Sequence, residues 1–308
     1  MEKIIKIIPA IKNYDWGNNY FIPELLGKEK TDNPQAELWM GAHKSGICTI
    51  EETGVSLRDF LDENPEFAGC KADDFPFLFK VLAIDKPLSI QCHPNKEQAE
   101  KGFSENNPNY SDPNEKDEMY YALTETSLLC GFRKQMLHDE ETEQLHAYFE
   151  SLYPHDKACE YAYKLNLVHL EPGEAVFLRP GIPHAYLSGN GIELMTISDN
   201  VLRLGLTKKR VDSKELYKVM IQSAFEVNLL GSFEDKGGIH FYTPADFVLT
   251  VMQDGFFRYE EKKVKMLICT EGKATINDNF TLAKGEVCIV AKDQSIDVEV
   301  DGTVFCAD

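Results

Sequence analysis

The sequence is short of basic residues. Its 308 residues include 32 Lys and Arg against 51 Asp and Glu, a formal net charge of −19. Such a chain repels polyanions, so neither nucleic acid nor an anionic membrane is expected as its main partner. If the ligand is a small anion, the protein has to collect its few cations into a local pocket.

Paired cysteines and long apolar runs are also missing. The eight cysteines include no C-x-x-C pair, which favours buried thiols in a reducing compartment over a disulfide framework. No run approaches the roughly 20 apolar residues of a transmembrane helix. The first nine residues are too short and too often interrupted to resemble a signal peptide. We therefore expect a cytoplasmic protein without a membrane partner.

The residues that are present predict a mainly β protein. The composition, 43% hydrophobic and 27% charged, is ordinary for a soluble globular chain with a full core. Strand patterns dominate residues 1–235, and the strongest helical period covers about 134–166. Residues 236–308 contain short strands separated by turn signals such as Glu271-Gly272 and Asp301-Gly302. This pattern predicts a larger, mainly β domain over residues 1–235, followed by a smaller β-sandwich or barrel domain over residues 236–308.

The stretch Leu88–Pro94 contains the first candidate ligands. It is a short apolar run that ends at a proline, which is typical of a strand. Side chains alternate along a strand, so Gln91 and His93 share a face and Cys92 points away. An amide oxygen and an imidazole on one face form half of a metal site. The alternative interpretation is a polar strand edge with a satisfied histidine.

A second strand is predicted after the Asn- and Pro-rich loop at 106–114. On it Lys116, Glu118 and Tyr120 would share one face. A charged strand start of this kind is usually solvated, so Glu118 is a candidate ligand only in combination with other residues.

A third strand carries His184, and Asn190-Gly191 follows it as a strong hairpin signal. If these two residues form the loop, the paired strands bring His184 and Glu193 to one face. Arg203 joins that face if no bulge intervenes.

Two imidazoles, one carboxylate and one amide oxygen make a plausible ligand set for one metal ion per chain. Nitrogen and oxygen ligands without a thiolate suit zinc, with other divalent ions such as manganese or iron as alternatives. Their total charge of about −1 leaves a divalent ion positive, which favours a Lewis-acid role. The four candidate ligands are Gln91, His93, Glu118 and His184.

Cations and one hydroxyl are predicted to surround this set. They are the local basic pocket that an anionic, phosphorylated substrate requires in an acidic protein. With Glu193 or Lys116 as the acid or base, the pocket suits proton movement next to a carbonyl. The pocket residues are Lys80, Ser89, Lys116, Arg203 and Lys209.

Residues 10 to 225 resemble, in order, the type I mannose-6-phosphate isomerases. The resemblance rests on Tyr14–Gly17, Ala36–Gly41, Leu78–Leu82, Leu88–Pro94, Pro183–Leu187 and Ser198–Thr207. It implies a cupin-type, double-sheet jelly-roll catalytic domain and a cupin-like C-terminal domain. It also implies zinc at the positions that match Gln91, His93, Glu118 and His184.

The resemblance implies roles for the remaining residues as well. Arg203 would be essential, with Lys116, Glu193 and Lys209 near the substrate and Lys80 and Ser89 near the phosphate. The implied reaction interconverts mannose 6-phosphate and fructose 6-phosphate through a cis-enediol. Glu193, Lys116 and a water molecule on the metal are all open as the base.

Two alternatives remain: another cupin isomerase or epimerase of a sugar or sugar phosphate, and a non-catalytic sugar-phosphate-binding cupin. Relatives often carry a large helical insert after the strand that ends near Gly131–Arg133, where this chain has only the short segment 134–166. Lys208 stands where relatives often have proline. Both departures leave substrate selectivity open. We expect a monomer or a weak homo-oligomer whose partner is a small phosphosugar.

Overall fold

The computed structural model describes residues 2–308 and is mainly β, as predicted. The strands are β1 Ile4–Ile8, β2 Ala10–Lys12, β3 Glu37–Met40, β4 Thr49–Ile50, β5 Leu78–Ile84, β6 Ile90–Cys92, β7 Glu118–Ala122, β8 Thr126–Phe132, β9 Leu165–Leu170, β10 Ala175–Leu178, β11 His184–Met195, β12 Leu202–Gly205, β13 Phe233–Asp235, β14 Gly238–Tyr242, β15 Val248–Tyr259, β16 Lys265–Ile276, β17 Phe280–Ala283, β18 Val287–Val290 and β19 Ile296–Ala307. The α-helices are α1 Phe21–Leu25, α2 Leu57–Glu63, α3 Pro65–Ala68, α4 Lys96–Ser104, α5 Glu140–Leu152, α6 Tyr161–Lys164 and α7 Ser213–Val219, and two 3₁₀ turns cover Ala72–Asp74 and Lys157–Glu160.

The chain divides into two compact units. Unit 1 contains the residues up to Ala83 together with Ile192–Met195 and Leu230–Asp308, and unit 2 contains Ile84–Gly191 and Thr196–Leu229. The predicted boundary at residue 235 lies close to the start of the last segment of unit 1. The N-terminal residues group with that segment, however, so the division into 1–235 and 236–308 does not coincide with the units. As a statement about separate domains, it stays a prediction.

Unit 1 is built on a nine-stranded antiparallel sheet. Its order is β13-β14-β15-β19-β16-β18-β1-β4, with β17 beside β16. The N-terminal strand joins the C-terminal ones because Ile5 pairs with Ile289 and Ile7 with Val287. Val298, Val304 and neighbouring side chains from the strands of this sheet form a buried apolar core. This long-range pairing is why the first residues belong with the last.

The turns predicted at Glu271-Gly272 and Asp301-Gly302 were wrong. β16 and β19 run through them as single long strands, and Gly272 pairs directly with Gly302. Both glycines have positive φ, +68° and +119°. A Cβ on either would collide with the backbone of the opposite strand. The glycines therefore allow a close, irregular crossing of two strands rather than a chain reversal.

Unit 1 also contains β2, β3 and β5, in which β3 pairs with both β2 and β5. Every residue of β3 and β5 is buried. Lys80 stands in the middle of β5 and lies opposite Trp39 on β3. A lysine in so buried a strand needs polar partners, which are described below.

In unit 2, the short strand β6 lies between β11 and β12. Gln91 pairs with His184 of β11 on one side and with Arg203 of β12 on the other. Directly paired residues share a face, so these three side chains form one row across the sheet. β8 also pairs with β11, and Cys130 lies opposite His184. β7 pairs with β10, where Glu118 lies opposite Leu178.

The hairpin predicted at Asn190-Gly191 is absent, because β11 runs without interruption from His184 to Met195. A Cβ on Gly191 would strike the Tyr120 ring, and one on Gly189 would strike Thr126. The glycines let the backbone of β11 approach its neighbours closely. Glu193 is therefore on the same strand as His184 rather than on an opposing one.

Helices α5 and α6 of unit 2 pack against its strands. α5 and α6 lie within the predicted helical segment 134–166, and Asp139 caps α5 through a capping box with Thr142. Phe149 of α5 packs into an apolar cluster with Leu129 and Leu165. In residues 2–308, no helix combines the length and the apolar character that crossing a membrane requires.

Candidate metal centre

Three predicted ligands come together in unit 2. His93 follows β6 directly, Glu118 begins β7 and His184 begins β11. Each offers one ligand atom, and these atoms all lie within 4.8 Å of one another. All three residues are 1% exposed, so the cluster is sealed from bulk water.

The ligand atoms of this cluster lack hydrogen-bond partners. Glu118 Oε1 lies 3.3 Å from His93 Nε2, and Glu118 Oε2 lies 3.1 Å from His184 Nε2. Nevertheless His93 Nε2, His184 Nε2 and Glu118 Oε2 make no well-oriented hydrogen bond with any of residues 2–308. Buried polar atoms are almost always paired. Three unpaired ones at a single point fit a bound cation.

The opposite ring nitrogens orient both histidines. His93 Nδ1 donates to the carbonyl of Asn200 at 2.8 Å, and His184 Nδ1 donates to the carbonyl of Ile182 at 2.9 Å. A carbonyl only accepts, so each Nδ1 carries the proton and each Nε2 keeps its lone pair toward the cluster. This is the usual outer arrangement of histidines that ligate metals.

The charges in the cluster favour an ionised Glu118 carboxylate and a neutral His93 imidazole. Burial by itself would raise the pKa of Glu118, but Lys116 and His93 hold that pKa well below its ordinary value. Lys116 Nζ lies 2.8 Å from Glu118 Oε1 and is itself buried. Burial, followed by the charge of Lys116, lowers the pKa of His93 to about 4. Both groups are thus in the protonation state that a divalent ion requires.

Strand pairing places Gln91 and Arg203 beside His184 of the cluster. Gln91 lies between His184 and Arg203 in the same row, and both Gln91 and Arg203 are half-buried. The guanidinium of Arg203 makes no hydrogen bond or ion pair with any side chain in residues 2–308, and burial lowers its pKa. A half-buried cation without a protein partner is suited to an anionic or polar ligand.

Comparison with known proteins agrees with this geometry. The family model of the phosphomannose isomerase type I catalytic domain matches residues 4–135. Mannose-6-phosphate isomerase of Escherichia coli is 32% identical, over 94% of this chain and 95% of that protein. The chain belongs to the type I phosphomannose isomerase family.

Other family members give the same picture. The human mannose-6-phosphate isomerase is 32% identical over 71% of this chain and 73% of its own. A crystal structure of a mannose 6-phosphate isomerase bound with zinc and yttrium superposes with a TM-score of 0.88 at 28% identity, covering 99% of both chains. A variant of the Salmonella typhimurium phosphomannose isomerase also reaches a TM-score of 0.88, at 29% identity. The predicted cupin fold is thereby confirmed.

Two other residues that the family resemblance singles out lie in unit 2. Ser89 is half-buried, one residue before β6, and Lys209 is exposed beyond β12. Their predicted contacts with substrate or phosphate stay predictions. Of the eight cysteines, Cys92 belongs to β6 but is buried, and burial raises its pKa to about 12. A thiol of that kind is neutral, which agrees with a ligand set free of sulfur.

Lys80 and Glu193, also singled out by the resemblance, form a buried ion pair in unit 1. Lys80 Nζ lies 2.7 Å from Glu193 Oε2 and 3.9 Å from Glu37 Oε2. The indole N–H of Trp39 donates to Glu37, and Lys80 Nζ lies 5.1 Å from the Trp39 ring. The roles predicted for Lys80 and Glu193 stay predictions.

Reasoning from the sequence overlooked Glu37 and Trp39. They are two residues apart on β3 and therefore share a face. A glutamate at the start of an otherwise apolar strand was the available signal, because a buried carboxylate requires a nearby cation.

Proposed function

We propose that this protein is a zinc-dependent aldose–ketose isomerase that interconverts mannose 6-phosphate and fructose 6-phosphate. The observation that carries the proposal is the set of three unpaired, buried ligand atoms on His93, Glu118 and His184 in a chain of this family. A zinc-bound relative with the same fold supports the choice of metal.

His93, Glu118 and His184 would hold the ion, with the amide oxygen of Gln91 as the fourth ligand. When bound, zinc supplies Lewis-acid polarisation of a substrate oxygen. The site can serve this purpose because two neutral imidazoles, one carboxylate and one amide leave a divalent ion with excess positive charge. The burial of all three residues limits the contact of their ligand atoms with bulk water.

Arg203 is suited to stabilise negative charge on the substrate. When C2 of the open-chain aldose loses its proton, charge develops on the carbonyl oxygen at C1. The guanidinium of Arg203 is available to donate to that oxygen, because it makes no hydrogen bond or ion pair with any described side chain. A well-placed donor of this kind lowers a barrier by about 3–4 kcal/mol.

Lys116 is suited to deliver a proton to oxygen. Its ammonium is held 2.8 Å from Glu118 Oε1 and is buried, so its position is defined. An ammonium has no lone pair and therefore donates rather than accepts. We propose that Lys116 assists the proton shift between O2 and O1 of the cis-enediol. Glu193 stays a predicted candidate for the carbon base, because a carboxylate accepts a proton directly.

The test combines composition with turnover. Purified protein is analysed for metals and assayed with mannose 6-phosphate by a coupled detection of fructose 6-phosphate, before and after chelation and zinc return. We expect one zinc per chain, activity lost on chelation and activity restored by zinc. Glucose 6-phosphate and unphosphorylated mannose serve as control substrates. Zinc-loaded protein that turns over neither mannose 6-phosphate nor fructose 6-phosphate would refute the proposal.

A further inference from the structure

We infer that Asn200 is a positioning residue for the metal ligand His93, acting through a reciprocal clasp with the loop Ser111–Asn114. The inference rests on the proposed metal site and deepens it. It concerns a side chain that touches neither the ligand atoms nor a substrate.

The first half of the clasp is the side-chain amide of Asn200. The residue is 0% exposed, so each of its polar atoms requires a partner. Its Nδ2 donates to the carbonyl of Asp112 at 2.9 Å and to that of Asn114 at 2.8 Å. Its Oδ1 accepts from the backbone N–H of Ser111 at 2.7 Å. The amide thus holds three backbone groups of the loop, at Ser111, Asp112 and Asn114.

The second half runs in the opposite direction, from the loop to the segment before Asn200. The carboxylate of Asp112 accepts from Ser198 Oγ at 2.9 Å and from the backbone N–H of Asp199 at 2.8 Å. Ser198 Oγ in turn accepts from the backbone N–H of Asn200 at 3.1 Å. Each segment therefore fixes the backbone of the other.

The clasp determines where one carbonyl lies. His93 Nδ1 donates to the carbonyl of Asn200 at 2.8 Å, and this bond sets the ring so that Nε2 faces the cluster. Asn200 lies between β11, which ends at Met195, and β12, which begins at Leu202. No strand pairing holds its carbonyl, so the clasp has to do so.

His184 provides a contrast within the same cluster. Its Nδ1 donates to the carbonyl of Ile182, only two residues earlier, so local geometry is enough to orient it. The clasped loop, moreover, leads directly into Glu118. Thr196 Oγ1 extends the clasp by donating to the carbonyl of Glu115 at 3.0 Å and accepting from the N–H of Asp117 at 3.0 Å. One network thus positions two of the three ligands.

The test is the zinc affinity of Asn200→Ala, measured on metal-free protein by competition with a chromophoric chelator. Asn200→Ala keeps the carbonyl that accepts from His93 and removes the side chain that holds it in place. Loss of an outer partner of a ligating histidine typically weakens metal binding about 10–100-fold, and we expect a loss toward the lower end of that range. The fold is followed by circular dichroism. Hydrogen exchange at the amide of Ser111 should accelerate, and to a lesser degree that of Asp112, because these amides donate to Asn200 Oδ1 at 2.7 Å and 3.4 Å.

Asn18→Ala is the matched control. Asn18 is also buried and accepts a backbone N–H, that of Phe21 at 2.9 Å, but it belongs to unit 1. This variant should lose thermal stability and keep the zinc affinity of the wild type. A purely structural role of Asn200 would make the two variants behave alike, which would overturn the inference.

Ser198→Ala covers the case in which Asn200→Ala does not fold. It removes the hydroxyl that joins Asp112 to the N–H of Asn200 and leaves the amide in place, so a smaller loss of zinc affinity is expected. Unchanged affinity in the folded variants overturns the clasp even if the wild type is an active isomerase. Wild-type protein that binds zinc without turning over mannose 6-phosphate refutes the proposed function and leaves the clasp standing.

Discussion

Two buried sites in this protein place imidazole beside carboxylate and differ in their hydrogen bonds. In unit 2, His93, Glu118 and His184 bring ligand atoms within 4.8 Å of one another, and three of these atoms have no hydrogen-bond partner. In unit 1, His240 is 5% exposed, and its two ring nitrogens lie 2.8 Å from Thr250 Oγ1 and 2.8 Å from Asp235 Oδ1.

In the unit 1 cluster the hydrogen bonds continue from Thr250 to two further residues. Thr250 Oγ1 donates to the hydroxyl of Tyr259 at 3.2 Å, and that hydroxyl donates to Asp308 Oδ2. A cleft of about 330 Å³ lies beside it, lined by His240, Tyr259 and Asp308. Even so, both ring nitrogens of His240 are engaged by protein atoms. A cleft and a histidine are therefore weaker signs of metal chemistry than unpaired ligand atoms are.

The largest effect is expected from Glu118→Gln, which removes the only carboxylate of the unit 2 cluster. Zinc binding should weaken beyond the roughly 10–100-fold cost of losing an outer partner, and turnover should fall with it. Elemental analysis after gel filtration and the coupled assay measure both. A Glu118→Gln variant that keeps zinc and activity would remove the distinction between the clusters.

Arg203→Ala should affect turnover without affecting the metal. Loss of one donor to developing negative charge typically reduces kcat by about 10²–10³-fold. Zinc content should stay at the wild-type value, because Arg203 is adjacent to Gln91 in the sheet but is not a ligand. Near-normal kcat in this variant would exclude Arg203 from the chemistry.

Tyr259→Phe tests whether the hydrogen-bonded unit 1 cluster contributes to stability and not to the reaction. The variant leaves the buried Thr250 hydroxyl and the Asp308 carboxylate without their shared partner. The free energy of unfolding should fall by about 1–3 kcal/mol, measured by urea denaturation. Zinc content and turnover should be unchanged, and a loss of either would indicate that the unit 1 cluster has a role in the reaction.

The smallest effect is a pH dependence that originates at Asp308. Burial raises the pKa of Asp308 above the ordinary value of 3.8, although the Tyr259 hydroxyl and Lys263 act in the opposite direction. Between 3.8 and the raised value the folded protein binds more protons than the unfolded chain, so its contribution to stability falls as pH rises. Asp308→Asn should remove this decline in denaturation midpoints measured between pH 4 and pH 7. An equal decline in the variant would contradict the assignment.

Strand alternation and residue chemistry were enough to select His93, Glu118 and His184 as candidate ligands, and the structure brings their ligand atoms together. Arg203 was expected on the face of His184 by way of a hairpin at Asn190-Gly191. It does lie in one row with His184, but through pairing with Gln91 of β6 and not through that hairpin. The candidate ligands required only the period of a strand and the preference of metals for nitrogen and oxygen ligands, and the role of Gln91 as a fourth ligand stays a prediction.

The wrong turn predictions arose because glycine occurs both in turns and inside strands that pack closely. Asn190-Gly191 and Asp301-Gly302 read as turns, yet each lies inside a long strand where a side chain would collide with a neighbour. The sequence shows where glycine permits unusual backbone angles. It does not show whether those angles form a turn or allow two strands to approach closely. Likewise the pairing of β1 with β18 has no local signal, and so the grouping of the first and last residues was not foreseen.

Asn200 was recognised only as part of a resemblance segment. Its partners are backbone atoms of Ser111, Asp112 and Asn114, which any residue type offers. Only the three-dimensional structure brings these atoms to it. Outer partners of a metal site are therefore harder to predict from sequence than the ligands themselves.

The central claim is that zinc binds where buried ligand atoms lack protein partners. Its most direct test is a zinc titration of three metal-free proteins: wild type, His184→Ala and His240→Ala. The account predicts one tight site in the wild type, loss of that site in His184→Ala and its retention in His240→Ala. Tight binding that survives His184→Ala, or that disappears in a folded His240→Ala variant, would contradict it.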